Sequence, residues 1–267
     1  MNLSDFSKRH GSAIRTVSIV LFLTILLIFA ADKSKAKAKV SPFRFDRYSG
    51  ITVMNTGHAE SVIMTRHANA PMVGETAPDS EMITAKSGKV VSLHSILKKK
   101  PMVLLFGSSS CSNLDSYLPN IADLCERFGD RVDFTFVYIR EAHPEGGFMP
   151  NLNQNGVDIS KPPLPDPKTL KERRKSAQEL KGRTSPRLQI FVDSIDDEMA
   201  VRWGAWPVRV FVVGPDRKLM YSGGPGPFHF QFSKGGWHSQ PPPHMENEFN
   251  RMPFSRKSLE EFLESIP

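Results

Sequence analysis

One stretch limits the possible folds of this chain more than any other: a continuous apolar run that ends in a short polar turn. Residues 101–106 read PMVLLF, a pattern typical of a strand buried on both faces of a sheet. Residues 107–113, which follow, read GSSSCSN and contain Cys111. Apolar residues then recur at spacings of three and four, as on one face of a helix, at Leu114, Leu118, Ile121, Cys125 and Phe128. The sequence therefore predicts a strand, a turn and a helix, with Cys111 at the start of the helix.

Strand and helix patterns alternate through the rest of the chain after residue 70. Further strands are predicted at residues 89–93, 132–139, 188–192, 208–213 and 219–222. Further helices are predicted at 169–180, 198–203 and 255–266, the last with Ser255 as its N-cap. This order predicts an α/β domain over residues 71–267, in which helices flank a central mixed sheet. Residues 149–168, which are rich in Pro, and residues 228–253, which are rich in Pro, Gly and His, are predicted to be insertions.

The amino-terminal region carries a membrane signal. Residues 17–31 contain only two polar side chains, and as a helix they would span roughly 22 Å of the ~30 Å bilayer core. One interpretation is an uncleaved single-pass anchor with snorkelling lysines, and the other is a signal peptide cleaved near residues 36–38. Cleavage would leave a secreted or periplasmic protein, whereas the lysines that follow the apolar run favour the anchor. We expect an anchor or signal at residues 1–39 and a tether at 40–70, with the membrane orientation open.

The net charge of +7 does not indicate a nucleic-acid partner. Residues 1–39 hold seven basic and two acidic side chains, which is +5 of that total. The rest of the chain therefore carries only +2, too little for a groove that follows a phosphate backbone.

The position of Cys111 at the predicted start of a helix favours a reactive thiol. Free N–H groups and the helix dipole at a helix start lower the pKa of a thiol, so that its thiolate is a nucleophile near neutral pH. The polar neighbours of Cys111 argue against a buried core role, whereas Cys125 lies on the apolar helix face and is predicted to be core. Fourteen residues along one helix separate the two thiols by roughly 20 Å, too far for a disulfide. We therefore expect one reactive thiol that is reduced from outside.

No metal site is predicted. Two cysteines cannot form a zinc site of the four-cysteine kind, and the spacing of His229, His238 and His244 is irregular.

Two prolines make the domain resemble the thioredoxin fold. Pro119 follows Cys111 by eight residues within the predicted helix, and Pro207 precedes the first strand of the final hairpin. The resemblance implies a cis peptide bond between Trp206 and Pro207, beside the thiol.

More specifically, the chain is similar to the iodothyronine deiodinases. Three stretches carry the likeness: residues 106–111 (FGSSSC), residues 132–144 (VDFTFVYIREAHP) and residues 203–227, which contain the final hairpin. The resemblance implies that Cys111 is the nucleophile that takes iodine from an aromatic substrate. It implies that Glu141 and His143 supply a proton and that Ser110 hydrogen-bonds the thiolate. Tyr138, Phe148 and Pro207 are the candidate substrate-binding residues.

The same resemblance implies the partners. They are an iodinated aromatic small molecule, an external thiol reductant in place of any bound cofactor, the membrane through the amino-terminal helix, and a second copy of the chain in a homodimer. The positions of the family's hormone-binding His and Arg hold Pro167 and Pro225, whose side chains cannot bind a phenolate or a carboxylate. Which substrate the protein uses therefore stays open.

Two other functions are compatible with the sequence. A peroxiredoxin-like thiol peroxidase is suggested by residues 74–78 (GETAP) and by the spacing from Ser108 to Cys111, although Leu104 occupies the proline position of the peroxiredoxin signature. A binding protein on a thioredoxin fold, without turnover, is the third possibility.

Overall fold

The computed structural model describes residues 70–144, 164–226, 230–235 and 246–266. The strands within these ranges are β1 (Glu81–Thr84), β2 (Val90–Ser92), β3 (Met102–Gly107), β4 (Asp133–Tyr138), β5 (Leu188–Val192), β6 (Arg209–Val213) and β7 (Leu219–Ser222). The helices are α1 (Leu93–Ile96), α2 (Ser112–Phe128), α3 (Leu170–Lys181), α4 (Glu198–Arg202), α5 (Glu246–Arg251) and α6 (Leu259–Ser265).

All of these strands belong to one mixed sheet in the order β2-β1-β5-β4-β3-β6-β7. Strand β3 pairs in parallel with β4, and β4 pairs in parallel with β5, while β6 runs antiparallel to β3 and β7 antiparallel to β6. All six residues of β3 are buried, as the apolar run predicted. The unit β3-α2-β4 followed by the β6-β7 hairpin and α6 is the arrangement of a thioredoxin-like fold. That prediction is confirmed, and the bond between Trp206 and Pro207 is cis.

Several elements differ from their predicted bounds. Strand β1 and the short helices α1 and α5 were not predicted, and α5 lies inside the insertion predicted at 228–253. Strand β1 has only four residues and is held by antiparallel pairing to β2 and β5, contacts that its own sequence does not encode. Ser255 is not the N-cap of the last helix. That helix begins at Leu259, because Ser258 and Glu261 form a capping box there.

The sheet separates two apolar layers. One layer packs α2 and α6 against the sheet and includes Cys111, Val208 and Phe230. The other surrounds Trp203 and Phe106, whose ring centroids lie 5.9 Å apart. The first layer is the one that faces the thiol.

Residues 17–31 lie outside the described part of the chain. Among the described residues, no helix has both the length and the apolar character needed to cross a bilayer.

Candidate functional site

Cys111 lies where the sequence predicted it, at the carboxyl edge of β3 and at the N-cap of α2. Its backbone is extended, with φ −75° and ψ 108°, and its N–H donates to the carbonyl oxygen of Ser108 at 3.2 Å. The expectation that its polar neighbours keep it out of the core was wrong. Cys111 is 1% exposed and belongs to the apolar layer between the sheet and α2. The Cys111 thiol therefore lies at the start of a helix and is almost completely shielded from solvent.

A carboxyl group lies beside the turn that leads to the thiol. Strands β3 and β4 are parallel neighbours, so the turn after Gly107 and the segment after Tyr138 meet at one edge of the sheet. Glu141 is 1% exposed there, and its Oε2 accepts the Ser110 N–H at 2.9 Å. The Ser108 hydroxyl accepts the backbone N–H of Ala142, the residue that follows Glu141, at 3.0 Å. The turn that ends in Cys111 is thus bonded directly to Glu141.

A tyrosine connects the same two segments. The Tyr138 hydroxyl donates to Oε1 of Glu141 and accepts the Ser109 N–H at 3.1 Å. Tyr138 is fully buried. Burial, and next the neighbouring Glu141 charge, raises the pKa of the Tyr138 phenol well above its usual value, so the phenol holds its proton at any physiological pH.

Burial also raises the pKa of the Glu141 carboxyl, against the opposing effect of the hydrogen bonds from Tyr138, Ser110 and Ser108. A carboxyl whose pKa is raised holds its proton to higher pH and can then act as a general acid. Glu141 is therefore a titratable group with a raised pKa, attached to the nucleophile's own turn.

Two further contacts complete this edge of the sheet. The backbone N–H of His143 donates to the Ser110 hydroxyl at 2.9 Å, and the half-buried His143 follows Glu141 by two residues. The indole N–H of Trp206 donates to the Glu141 carbonyl at 3.4 Å, which brings the cis Trp206-Pro207 turn to the site. Ser110, Glu141 and His143, predicted from two separate stretches of the sequence, are brought together.

The family model for iodothyronine deiodinase matches residues 22–235. The chain belongs to the iodothyronine deiodinase family. A thyroxine 5-deiodinase of Gallus gallus is 30% identical over 163 residues, covering 61% of this chain and 60% of that protein. The thyroxine 5-deiodinase of Sparus aurata is 29% identical over 164 residues, covering 61% of this chain and 58% of that protein. The chain thus spans about three fifths of the length of these two relatives.

A type II iodothyronine deiodinase of Rattus norvegicus is 28% identical over 195 residues, covering 72% of this chain and 69% of that protein. Among solved structures, a thioredoxin-like protein from Aeropyrum pernix covers 79% of this chain and 97% of its own, with 14% identity and a TM-score of 0.41. The deiodinase model spans all three stretches from which the family was predicted. The predicted family is confirmed.

The substrate-binding residues expected from the deiodinase resemblance stay predictions. Tyr138 is fully buried and bonded to Glu141, and Pro207 is also buried. Phe148 lies outside the described residues. Pro167 and Pro225, at the positions of the family's hormone clamp, are both buried.

A buried ion cluster next to this candidate site was missed in the sequence. Asp197 lies 3.1 Å from Nε of Arg140 and 2.8 Å from an Nη of Arg173, and all three side chains are at most 10% exposed. Because Arg140 directly precedes Glu141, this cluster fixes the position of the segment that carries the carboxyl. The sequence does contain one indication of this cluster, because Arg140 directly follows a strand predicted to be buried. A buried charge requires a partner of opposite charge.

Cys125 has the core position that the sequence predicted, and it gives a testable contrast within this deiodinase domain. It is fully buried, and burial raises the pKa of its thiol to about 12. We expect Cys125 to remain unmodified when the folded full-length protein is treated with iodoacetamide at pH 8, because the thiolate is scarcely populated. Peptide mass spectrometry of the alkylated chain measures this, and rapid modification of Cys125 in folded protein would contradict it.

Proposed function

We propose that this protein is a thiol-dependent oxidoreductase that reductively removes iodine from iodothyronine-type aromatic substrates, with Cys111 as the nucleophile. The observation that carries the proposal is the direct bonding of Glu141 and Tyr138 to the turn that ends in Cys111. Removing iodine from an aromatic carbon requires a sulfur nucleophile and a proton source side by side. Membership of the deiodinase family supports the choice of substrate class.

The Cys111 thiolate attacks iodine, an S–I bond forms, the C–I bond breaks, and the ring carbon keeps the electron pair. That carbon takes a proton supplied through Glu141, with His143 at the outer end of the same segment as a second proton carrier. An external thiolate then attacks Sγ of Cys111 and releases iodide. A second external thiol reduces the resulting mixed disulfide, so a dithiol is oxidised while the substrate exchanges iodine for hydrogen.

The hydrogen-bonded pair of Tyr138 and Glu141 supports proton transfer from the protein to the ring carbon of the substrate. Burial raises the pKa of both groups, so a proton on either group is kept to higher pH than it would be in water. The carbanion left by iodine removal is a base strong enough to take such a proton. Cys111 and Cys125 form no disulfide, and fourteen residues of one helix separate them, so Cys125 cannot reduce Cys111 and the electrons must come from an added reductant.

Parallel assays of the full-length protein in detergent, with excess dithiol, test this function. One assay measures iodide release from iodothyronines and the other measures peroxide loss. We expect iodide release that depends on dithiol. Peroxide loss without iodide release would overturn the proposal in favour of a thiol peroxidase, and the absence of both would favour a binding protein.

We also propose that residues 17–31 are a retained membrane anchor and not a cleaved signal. The deiodinase family match begins at residue 22, inside this apolar segment, which supports its retention in the mature protein. Carbonate extraction of membranes that contain the full chain tests the anchor. Release into the supernatant, together with an amino terminus near residue 39, would overturn it. The homodimer stays a prediction.

A further inference from the structure

The segment that carries Glu141 lies just beyond the sheet. Strand β4 ends at Tyr138, and residues 139–143 continue past its last paired residue. The last main-chain link to β3 is the N–H of Ile139, which donates to the Gly107 carbonyl at 3.0 Å. The sheet alone therefore does not determine where the Glu141 side chain lies, and contacts from other elements must do so.

The loop between β5 and α4, residues 193–197, holds this segment at two points. At one end of the loop, the Asp193 N–H donates to the Tyr138 carbonyl at 2.9 Å. At the other end, the carboxylate of Asp197 lies 3.1 Å from Nε of Arg140, and these side chains are 0% and 10% exposed. This stretch, here called the clamp loop, thus contacts the chain immediately before Glu141.

The clamp loop is itself fixed to the start of α4. The Asp193 carboxylate accepts the N–H groups of Met199 at 3.0 Å and Ala200 at 2.8 Å. The carbonyl of Asp197 accepts the Val201 N–H at 3.0 Å. Asp197 has φ 60° and ψ 36°, a left-handed conformation that Asp adopts more readily than most residues. The carboxylate that meets Arg140 is therefore presented by a bonded backbone.

Three hydrogen bonds join the same segment to the turn of Cys111, at 2.9 to 3.0 Å. The groups that make them in the segment are the Glu141 carboxyl and the N–H groups of Ala142 and His143. All three groups follow Arg140 within three residues of continuous main chain. A displacement of Arg140 would therefore disturb every bond between this segment and the nucleophile's turn.

We propose that Arg140 and Asp197 are positioning residues for the reaction at Cys111: their ion pair fixes the direction in which the chain leaves β4 and so holds the Glu141 carboxyl against the turn. The proposal rests on the proposed function for the reaction that Glu141 serves. A displacement of a reacting group by about 1 Å can lower a rate by about a hundredfold, even when the change is made away from the substrate.

Two arginines contact Asp197, but only one of them precedes Glu141, and this supplies a matched pair of variants. Arg140→Met leaves Asp197 with Arg173, which lies 2.8 Å from its other oxygen, whereas Arg173→Met leaves Asp197 with Arg140. Arg173 is fully buried and also donates to the Ser194 carbonyl in the clamp loop, so its loss is not the milder change. A role in stability alone would lower the melting temperature of both variants and distinguish nothing else.

The first measurement needs no catalysis. Hydrogen–deuterium exchange of the full-length protein in detergent is followed by mass spectrometry in peptides that cover residues 107–113 and 139–144, relative to peptides of β6. In Arg140→Met both regions should exchange roughly tenfold faster than in wild type, and in Arg173→Met they should change by about twofold or less. Equal exchange of these regions in the two variants would overturn the proposal.

The second measurement separates binding from chemistry. With an iodothyronine and excess dithiol, Arg140→Met should lower kcat per folded molecule by roughly ten- to a hundredfold and leave KM within about twofold, because a proton donor acts in the chemical step. Arg173→Met should keep kcat within about threefold. Arg140→Lys keeps the charge and should recover part of the lost kcat. An equal loss of kcat in the two Met variants would contradict the positioning role.

A second pair of variants covers a failure to fold. If either Met variant does not fold, Arg140→Lys and Arg173→Lys are compared by the same exchange measurement, with a smaller difference of the same sign expected; no difference between them would refute the proposal. Wild-type protein that releases no iodide would refute the proposed function, and the exchange comparison would still decide whether Arg140 positions Glu141. The two failures are therefore observed separately.

Discussion

Replacement of Cys111 with serine should lower iodide release by roughly a thousandfold or more, down to the rate of the dithiol alone. A hydroxyl at the start of α2 is not ionised near neutral pH, and an alkoxide is a poor partner for iodine compared with a thiolate. Because the new hydroxyl is buried in an apolar layer, the variant should also lose about 1–3 kcal/mol of stability, and activity is therefore compared per folded molecule. Steady-state iodide release and a thermal melt of wild type and variant measure both effects.

The matched control for this variant is Cys125→Ala. Cys125 lies on the same helix and is equally buried, but it touches neither the turn nor Glu141 in the described contacts. Its replacement should cost about 1 kcal/mol of stability and leave iodide release per folded molecule unchanged. If Cys111→Ser kept full activity, or if Cys125→Ala lost it, the assignment of the nucleophile would be wrong.

Replacement of Glu141 with glutamine should lower iodide release by roughly a hundred- to ten-thousandfold. An amide cannot hand over a proton, and its NH₂ group would face donors, namely the Ser110 N–H or the Tyr138 hydroxyl. Alkylation of Cys111 by iodoacetamide should persist, because the thiol itself is unchanged. The comparison of iodide release with alkylation rate therefore separates loss of the proton source from loss of the nucleophile.

The pH dependence of iodide release tests the role of Glu141 more directly than the loss of activity in a variant does. The pKa of this carboxyl is raised in the folded protein, so its acid form is present at low pH and is lost as pH rises through that raised pKa. Iodide release that depends on this acid should fall over the same rise, and the fall should be absent in Glu141→Gln. The stabilising contribution of the protonated carboxyl has the same sign: it is complete below the unfolded pKa and lost as pH rises through the folded pKa.

Tyr138→Phe is the control that keeps the ring in place. It removes the hydroxyl that connects Ser109 to Glu141 but leaves the carboxyl bonded to Ser110. A smaller loss of iodide release than in Glu141→Gln is expected, with the fall at rising pH retained. An identical fall in Glu141→Gln and wild type would show that another group supplies the proton.

Local patterns were sufficient to predict much of this protein. The apolar run at 101–106, the turn with Cys111 and the periodic helix after it follow from burial and periodicity, which act between near neighbours along the chain. The family could be predicted because its motifs, the turn with Cys111 and the stretch at 132–144, are each continuous in the sequence. Glu141 and His143 were found for the same reason, since both lie in one short motif.

The remaining features depend on residues that are distant in sequence and meet only when the chain folds. The parallel register of β3 and β4 brings the Tyr138 hydroxyl to the turn of Cys111, 29 residues earlier at Ser109. The bond from Tyr117 to Phe230 spans 113 residues. The burial of Cys111 could not be inferred from its serine neighbours, because the Ser108 and Ser110 hydroxyls accept the backbone N–H groups of Ala142 and His143 in the segment after β4. A side chain's exposure and hydrogen bonds are set by what the other elements place beside it, and periodicity carries no information about that.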